Sequence, residues 1–178
     1  MDQHIHKISK PSDWVMRFSH LIVDKGKILD LACGSGRHSL AMLELGHSVT
    51  AIDKDLSTIS SISTLSQYKN LKLIKSDLER EPWPLEKQSF SAIIVTNYLY
   101  RPLMTFLPKA LDNSGLLIYE TFAHGNENFG RPKNPKFLLS RGELLKYFSP
   151  KLQVIAYEDI TVREPKPAAI QRICARKI

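Results

Sequence analysis

The stretch KILDLACGSGRHSLAMLELGHSVTAIDKD, residues 27–55, decides the fold of this chain. It opens with a continuously apolar run over 28–32, the pattern of a central parallel strand covered on both faces. A helix is predicted over 35–45, ended by Gly46, and a second strand over 49–53. Strand, glycine-containing turn, helix and strand make a βαβ unit, which binds ligands at the carboxyl ends of its strands.

The rest of the chain alternates in the same way. Further helices are predicted over 14–23, 56–68, 102–111 and 140–148, and further strands over 71–76, 91–97, 115–122, 154–162 and 169–176. The turn REPKP between the last two strands is too short for a helical crossover, so these strands are predicted to be antiparallel. The expected fold is α/β, a Rossmann-like seven-stranded, mainly parallel sheet with an antiparallel C-terminal hairpin and helices on both faces.

Length and composition favour one ordinary globular domain. The 178 residues, 43% of them hydrophobic, are expected to form a single domain over 1–178 with a frayed N-terminus over 1–11. No apolar run approaches the roughly 20 residues of a membrane span, and no export signal is recognisable. We therefore expect a cytoplasmic protein without a membrane partner, a monomer or weak dimer, with Cys33 and Cys174 reduced.

Positive charge is concentrated in the second part of the chain. Residues 1–100 carry 12 Lys/Arg and 11 Asp/Glu, a net charge of +1, whereas residues 101–178 carry 13 and 7, a net charge of +6. Such an excess suits nucleic acid, suits a small acidic substrate, or serves solubility alone. The charge pattern leaves these three explanations open.

The glycine-containing turn indicates a nucleoside ligand. Gly34 and Gly36 allow unusual backbone dihedrals and a close approach of the ligand to the backbone. Asp53 ends the next strand, where a carboxylate can accept hydrogen bonds from ribose hydroxyls. The GxGxxG pattern of dinucleotide-binding turns is matched only in part, because Ser39 takes the position of the last glycine.

Read as DxAxGxG, with Asp30, Ala32, Gly34 and Gly36, the stretch instead resembles motif I of class I S-adenosylmethionine-dependent methyltransferases. Within that family it is most similar to small bacterial enzymes akin to the tellurite-resistance methyltransferases. The resemblance covers roughly residues 12–178 and implies the seven-stranded sheet, S-adenosylmethionine as cofactor and methyl transfer as activity.

The resemblance also implies a set of cofactor-binding residues. Asp53 matches the ribose-binding acid, Asp77 the residue that contacts the adenine amino group, and Thr96 with Asn97 the motif IV position beside the methionyl part. From the first helix, Arg17 is expected to meet the cofactor carboxylate, with a solvated arginine as the alternative. The expected cofactor-binding residues are Arg17, Asp30, Ala32, Gly34, Ser35, Gly36, Asp53, Asp77, Leu78 and Thr96.

The sequence says less about the part of the site that would bind the substrate, and the catalytic residue stays unknown. The candidates are Tyr98, Tyr100, Arg101, Glu120 and His124. The DPPY or NPPY tetrapeptide of many exocyclic-amine methyltransferases is missing, and the histidines lack metal-ligand spacing, so no metal is expected.

The polar segment 124–140 contains Phe129, Arg131, Lys133, Lys136 and Phe137. It is interpreted either as a lid over an anionic substrate or as a solvated connection held down by its two phenylalanines.

Four functions therefore stay in view. The leading one is an S-adenosylmethionine-dependent methyltransferase acting on a small molecule, for which an anionic acceptor is considered. The alternatives are an RNA methyltransferase, an NAD-dependent oxidoreductase that uses the same glycine-containing turn, and a noncatalytic nucleoside-binding module.

Overall fold

The computed structural model describes residues 9–178, so most of the expected frayed N-terminus lies outside the described residues. The helices are α1 (Asp13–Ser19), α2 (Arg37–Glu44), α3 (Ser57–Ser60) and α4 (Glu143–Phe148). The strands are β1 (Lys27–Leu31), β2 (Ser48–Asp53), β3 (Leu71–Lys75), β4 (Phe90–Thr96), β5 (Leu111–Phe122), β6 (Gln153–Val162) and β7 (Ala168–Arg176). Short 3-10 segments cover Ser63–Gln67, Arg101–Thr105, Asn126–Asn128 and Pro135–Phe137.

The strands form one seven-stranded sheet in the order β3-β2-β1-β4-β5-β7-β6. The first five strands are parallel neighbours, while β7 pairs antiparallel with both β5 and β6. The predicted sheet and its antiparallel C-terminal hairpin are confirmed. The strand order reverses between β1 and β4, because the chain runs outward from β1 to β3 on one side and from β4 to β5 on the other. The carboxyl ends of these two central strands lie side by side at this point, where open α/β sheets bind ligands.

Each face of the sheet has its own apolar core. On one face, Trp14 and Phe18 of α1 and Met42 of α2 pack against strand residues such as Ile28. On the other face, Leu144 and Phe148 of α4 and the residues around Leu103 pack against the alternate strand residues, such as Leu29. The alternation along each strand therefore buries both faces, as a parallel sheet requires.

Two predicted helices are wrong. The region 56–68 holds only the four-residue α3 and a 3-10 segment, because its serines and threonines bond locally, as the Ser61 hydroxyl does to the Thr58 carbonyl at 2.7 Å. The region 102–111 forms only a 3-10 segment over Arg101–Thr105, in which Pro102 is the second residue. Strand β5 begins at Leu111, earlier than predicted, with an irregular pairing opposite Phe90 and Ala92.

The first helix begins as its sequence predicts. The Ser12 side chain accepts a hydrogen bond from the Trp14 amide at 3.1 Å and caps α1. Among residues 9–178, no helix has both the length and the apolar character that a membrane crossing needs.

Candidate cofactor and substrate site

The turn after β1 is built from residues in the left-handed conformation. Ala32, Gly34 and Gly36 have φ angles of 55°, 54° and 78°. A Cβ at Gly36 would lie 2.6 Å from the Ile59 side chain, whereas a Cβ at Gly34 would meet no atom within 4 Å. Gly36 is therefore required by packing, and exposed Gly34 borders the open space in which a ligand can approach the backbone.

Asp53 closes this turn from the neighbouring strand. Its Oδ2 accepts a hydrogen bond from the Gly34 amide at 2.8 Å, and its Oδ1 accepts one from the Asp55 amide at 3.0 Å. The side chain is half-buried, so part of the carboxylate still faces solvent. The structure thus brings together the predicted ribose-binding acid and the predicted glycine turn.

Asp30 lies beneath the turn and is buried. Its Oδ2 accepts a hydrogen bond from the Ser39 hydroxyl of α2 at 2.6 Å. Burial raises the pKa of Asp30 to about 6, although the Ser39 hydrogen bond and the charge of Arg37 lower it. The Asp30 carboxylate therefore links β1 to α2, and any positive group that binds nearby stabilises its ionised form.

Thr96 lies at the carboxyl end of β4, beside the turn. Its Oγ1 is 3.3 Å from Nδ1 of His38, a buried residue of α2. Asn97 follows with an exposed side chain and a φ of 55°, a left-handed conformation that is uncommon for a residue other than glycine. The motif IV position is therefore anchored at Thr96, and Asn97 faces solvent at the edge of the site.

Glu120 belongs to a polar row that crosses four strands. In register, Thr96 of β4 pairs with Glu120 of β5, Glu120 with Arg172 of β7, and Arg172 with Glu158 of β6. Glu120 accepts hydrogen bonds from the Ser12 hydroxyl at 2.8 Å and from Arg172 at 3.3 Å. Each of its carboxylate oxygens accepts one of these bonds, so Glu120 links the start of α1 to β7.

Arg17 is directed along that row, away from the glycine turn. Its guanidinium lies 3.6 Å from Glu158 and over the rings of Trp14 and Phe18. Trp14 itself is buried in the core, with Arg172 stacked on its ring at 4.6 Å. In this arrangement Arg17 does not join the predicted cofactor residues, and its contact with the cofactor carboxylate stays a prediction.

Asp77 and Leu78 follow β3 at the same edge of the sheet. The Asp77 carboxylate accepts the Glu79 amide at 3.1 Å and is partly exposed, and Leu78 is buried in the core. Burial raises the pKa of Tyr98, and the nearby charges of Glu79 and Asp77 raise it further. The Tyr98 hydroxyl therefore stays protonated at neutral pH and can donate a hydrogen bond, but it is a poor base.

Arg101 is occupied by the loop over 124–140. Its guanidinium donates two hydrogen bonds to Glu143, at 2.7 and 3.0 Å, and one to each of the Lys136 and Leu138 carbonyls at 2.9 Å. Ala123 and Leu139 form a further bridge at the base of the loop. Arg101 is thus a clamp on the loop, a role that its position in the sequence did not reveal.

The clamp changes the interpretation of the two phenylalanines. Phe129 and Phe137 are 48% and 44% exposed, so they do not hold the loop down as the simpler interpretation required. The buried anchors are Asn126, which donates to the Pro132 carbonyl at 3.2 Å, and Leu138. The loop presents its aromatic and basic side chains to solvent.

The structure also places two catalytic candidates, His124 and Tyr100, and the cysteine of the turn, Cys33. His124 is exposed, and the Tyr100 hydroxyl donates to the Glu79 carbonyl at 3.3 Å. Cys33 is buried, and burial raises the pKa of its thiol, so it is a packing residue of the turn. Within residues 9–178, no three His, Cys, Asp or Glu side chains are grouped so that they could hold a metal ion.

The family model for the tellurite resistance protein TehB matches residues 12–100, half of the chain. This chain belongs to the TehB family. The match contains the glycine turn, Asp53, Asp77 and Thr96, which are the parts of the site that the sequence predicted. No curated protein sequence matches the chain.

Solved structures share the fold at low identity. TehB from Haemophilus influenzae is 18% identical with a TM-score of 0.77, over 98% of this chain and 64% of that protein. A TehB-like SAM-dependent methyltransferase from Corynebacterium glutamicum is 17% identical with a TM-score of 0.65, over 93% and 87%. Burkholderia thailandensis 1,6-didemethyltoxoflavin-N1-methyltransferase, with bound 1,6-didemethyltoxoflavin and S-adenosylhomocysteine, is 16% identical with a TM-score of 0.66, over 92% and 76%.

The family match confirms the recognition of a TehB-type protein, and the solved structures confirm that its fold is that of class I S-adenosylmethionine-dependent methyltransferases. At such identities the structural likeness shows the fold alone, and the chain spans 64% of the length of Haemophilus influenzae TehB. The strand order separates the fold from a dinucleotide-binding sheet, in which the sixth strand is parallel, whereas here β7 is antiparallel and inserted between β5 and β6. The NAD-dependent alternative finds no support in the family match.

Proposed function

We propose that this TehB-family protein transfers a methyl group from S-adenosylmethionine to a small, anionic acceptor. The observation that carries the proposal is the 2.8 Å hydrogen bond between the Gly34 amide and Asp53, which joins the glycine turn to the predicted ribose-binding acid. The open space at Gly34 and the half-exposed Asp53 carboxylate fit a nucleoside whose ribose hydroxyls need an acceptor. S-adenosylmethionine, when bound, supplies a methyl group on a positively charged sulfonium.

The residues of this chain would hold the cofactor in three places. Asp53 would accept from the ribose hydroxyls, and Asp77 would accept from the adenine amino group at the end of β3. Thr96 and the glycine turn would border the methionyl part, with the Asp30 carboxylate beneath them. Asp53, Asp77 and Asp30 give this edge of the sheet a negative character that suits a cationic cofactor.

The proposal of an electron-rich acceptor rests on the state of the candidate bases. Glu120 accepts a hydrogen bond on each carboxylate oxygen and burial raises the Tyr98 pKa, which leaves His124, an exposed residue of the loop, among the candidates. Methyl transfer is an in-line displacement that depends chiefly on positioning, so an acceptor with its own available electron pair needs no strong base. The exposed cations Arg131 and Lys133 at the same edge would attract an anionic acceptor.

Replacing Asp53 by alanine tests the cofactor assignment. The ribose hydroxyls lose a charged acceptor worth about 1.5 to 3 kcal/mol, so calorimetric affinity for S-adenosylhomocysteine is expected to fall about ten- to a hundredfold. Asp55→Ala is the matched control, because it removes the same charge two residues away and loses only the bond to the Ser57 amide. Equal affinities for the two variants would contradict the assignment.

Replacing Arg131, Lys133 and Lys136 by glutamine tests the acceptor class. Once an acceptor is identified by transfer of labelled methyl groups into fractionated cell extract, the triple variant is expected to raise its KM and to leave S-adenosylhomocysteine affinity unchanged. The control replaces Lys27, Lys69 and Lys87, three lysines that line a cavity at the amino ends of the strands. A KM raised equally in both variants would show a general charge effect.

The same labelled extract separates the remaining alternatives. Label in RNA, with a steep loss of transfer as salt is added, would replace the small-molecule proposal by RNA methylation. Binding of S-adenosylhomocysteine without transfer to any fraction would favour the noncatalytic nucleoside-binding module.

A further inference from the structure

His38 is a buried imidazole at which three elements around the candidate cofactor site meet. The side chain is 1% exposed and belongs to α2, two residues after the glycine turn. Its Nε2 accepts a hydrogen bond from the Ser12 amide at 3.0 Å, and its Nδ1 lies 3.3 Å from the Thr96 hydroxyl. One ring therefore joins the N-cap of α1, the start of α2 and the end of β4.

The hydrogen bonds define the protonation state of this ring. Because Nε2 accepts an N–H, it carries a lone pair, and the proton of the neutral ring is on Nδ1. Nδ1 then donates to the Thr96 hydroxyl oxygen, which leaves the hydroxyl hydrogen of Thr96 free to point to another acceptor. Burial, together with the charge of neighbouring Arg37, lowers the pKa of His38 to about 3.

Helix α1 depends on the same contact. The Ser12 amide donates to His38, and the Ser12 hydroxyl both caps α1 and donates to Glu120 at 2.8 Å. Arg37 donates to the Lys10 carbonyl at 3.2 Å, so the segment before α1 is also held at the start of α2. The seven-residue α1 has few backbone bonds of its own, so these fixed points, together with the core packing of Trp14 and Phe18, set where it lies over the sheet.

We infer that His38 is a positioning residue for methyl transfer, which fixes α1 and the Thr96 hydroxyl relative to each other at the methionyl end of the cofactor site. The inference rests on the proposed function, since it assigns His38 a role toward the proposed cofactor. Loss of the ring would remove one of the contacts that hold the start of α1 and would free the Thr96 side chain to rotate.

His47 provides a matched control for this role. It is a second buried histidine, 5% exposed, and its pKa is also lowered by burial. It precedes β2 at the opposite edge of the sheet, and its Nδ1 has no hydrogen-bond partner among residues 9–178. His38→Ala and His47→Ala both remove a buried imidazole, but only the first removes the link between α1 and β4.

Calorimetry with S-adenosylhomocysteine is expected to show at least a tenfold loss of affinity for His38→Ala and less than a twofold change for His47→Ala. Two conservative variants divide the role of the ring. His38→Gln retains an acceptor near the Nε2 position and is expected to restore the hold on Ser12, whereas His38→Asn retains a donor near Nδ1 and is expected to restore the contact with Thr96. Partial recovery of affinity in either variant supports the inference, and affinity in His38→Ala equal to that of His47→Ala overturns it.

Two measurements on the free protein keep this inference separate from the proposed function. Long-range ¹⁵N–¹H spectra are expected to show His38 as the neutral Nδ1–H tautomer, and amide hydrogen exchange in α1 is expected to speed up in His38→Ala but not in His47→Ala. An Nε2–H tautomer, or unchanged exchange in α1, overturns the inference even if wild-type protein binds no S-adenosylhomocysteine. Failure of wild-type binding alone would instead overturn the proposed function.

Discussion

The glycine turn and the loop over 124–140 lie at the same edge of the sheet but are built in opposite ways. The turn is closed by partners that are near in sequence, as in the bond between Gly34 and Asp53, 19 residues apart. The loop is held by Arg101, whose partners lie 35 to 42 residues further along the chain. A site closed by neighbouring residues can be recognised as a motif, whereas a clamp formed across the fold cannot.

The two regions also differ in charge. The turn side presents the carboxylates of Asp53 and Asp77, while the loop presents Arg131, Lys133 and Lys136, all of them exposed. A cationic cofactor on the first side and an anionic acceptor on the second would each meet opposite charge. The difference indicates that the turn binds the cofactor and the loop attracts the acceptor. Substitutions on either side should therefore affect one ligand and not the other.

The largest expected effect is on the turn side, from Gly34→Val. The left-handed conformation costs a β-branched residue about 1 to 2 kcal/mol, and the new side chain enters the open space assigned to the cofactor. Affinity for S-adenosylhomocysteine is expected to fall at least about a hundredfold in calorimetry. Gly46→Val is the control, because Gly46 is also left-handed and open but ends α2 away from the turn.

If Gly46→Val lowered the affinity as much as Gly34→Val, the loss would come from backbone strain and the assignment of the open space to the cofactor would be wrong. Both variants are expected to lower the thermal midpoint, because they share the strained backbone.

A smaller effect is expected on the loop side, from Arg101→Met. This variant removes the bonds to Glu143 and to the Lys136 and Leu138 carbonyls, so the loop should open more often. Chymotrypsin cleavage after the exposed Phe129 and Phe137 is expected to be about tenfold faster, which corresponds to about 1.4 kcal/mol of local opening free energy.

Arg141→Met, a loss of the same charge from an exposed residue beside the loop, should leave the cleavage rate unchanged. Affinity for S-adenosylhomocysteine should also be unaffected in Arg101→Met, since the clamp lies on the acceptor side. A large loss of that affinity would show that the two regions are not independent.

What the sequence predicts follows the same division. The positions of the seven strands, the antiparallel hairpin and the placing of Gly34 and Asp53 at one edge of the sheet follow from local periodicity and from the motif. The roles of Glu120 and Arg172 could not be predicted, because their pairing depends on the register of antiparallel β5 and β7. The role of His38 could not be predicted either, since its spacing to Ser12 and Thr96 follows no motif.

The missed helices have a physical cause of the same kind. Helical periodicity over 56–68 and 102–111 is short and rich in residues that bond locally or that begin a turn, so tertiary packing selects 3-10 segments instead. Propensity is a weak guide where a segment spans only a few turns, and only the packed structure decides between the two helix types.

The smallest expected effect, from Ala32→Gly, tests whether Ala32 strains the turn. Unlike Gly34 and Gly36 of the same turn, Ala32 carries a Cβ, yet its φ of 55° lies in the left-handed region. Glycine removes a strain of about 1 kcal/mol but adds an unfolded-state entropy cost of about 0.5 kcal/mol, so the variant should be more stable by about 0.5 kcal/mol. Thermal unfolding should show a midpoint higher by about 1 to 2 °C, with cofactor affinity unchanged.

Ala41→Gly, in the interior of α2, should lower the midpoint instead, because helical backbone gains nothing from glycine. A lower midpoint in both variants would show that Ala32 is unstrained, and the turn would then owe its shape to its hydrogen bonds alone.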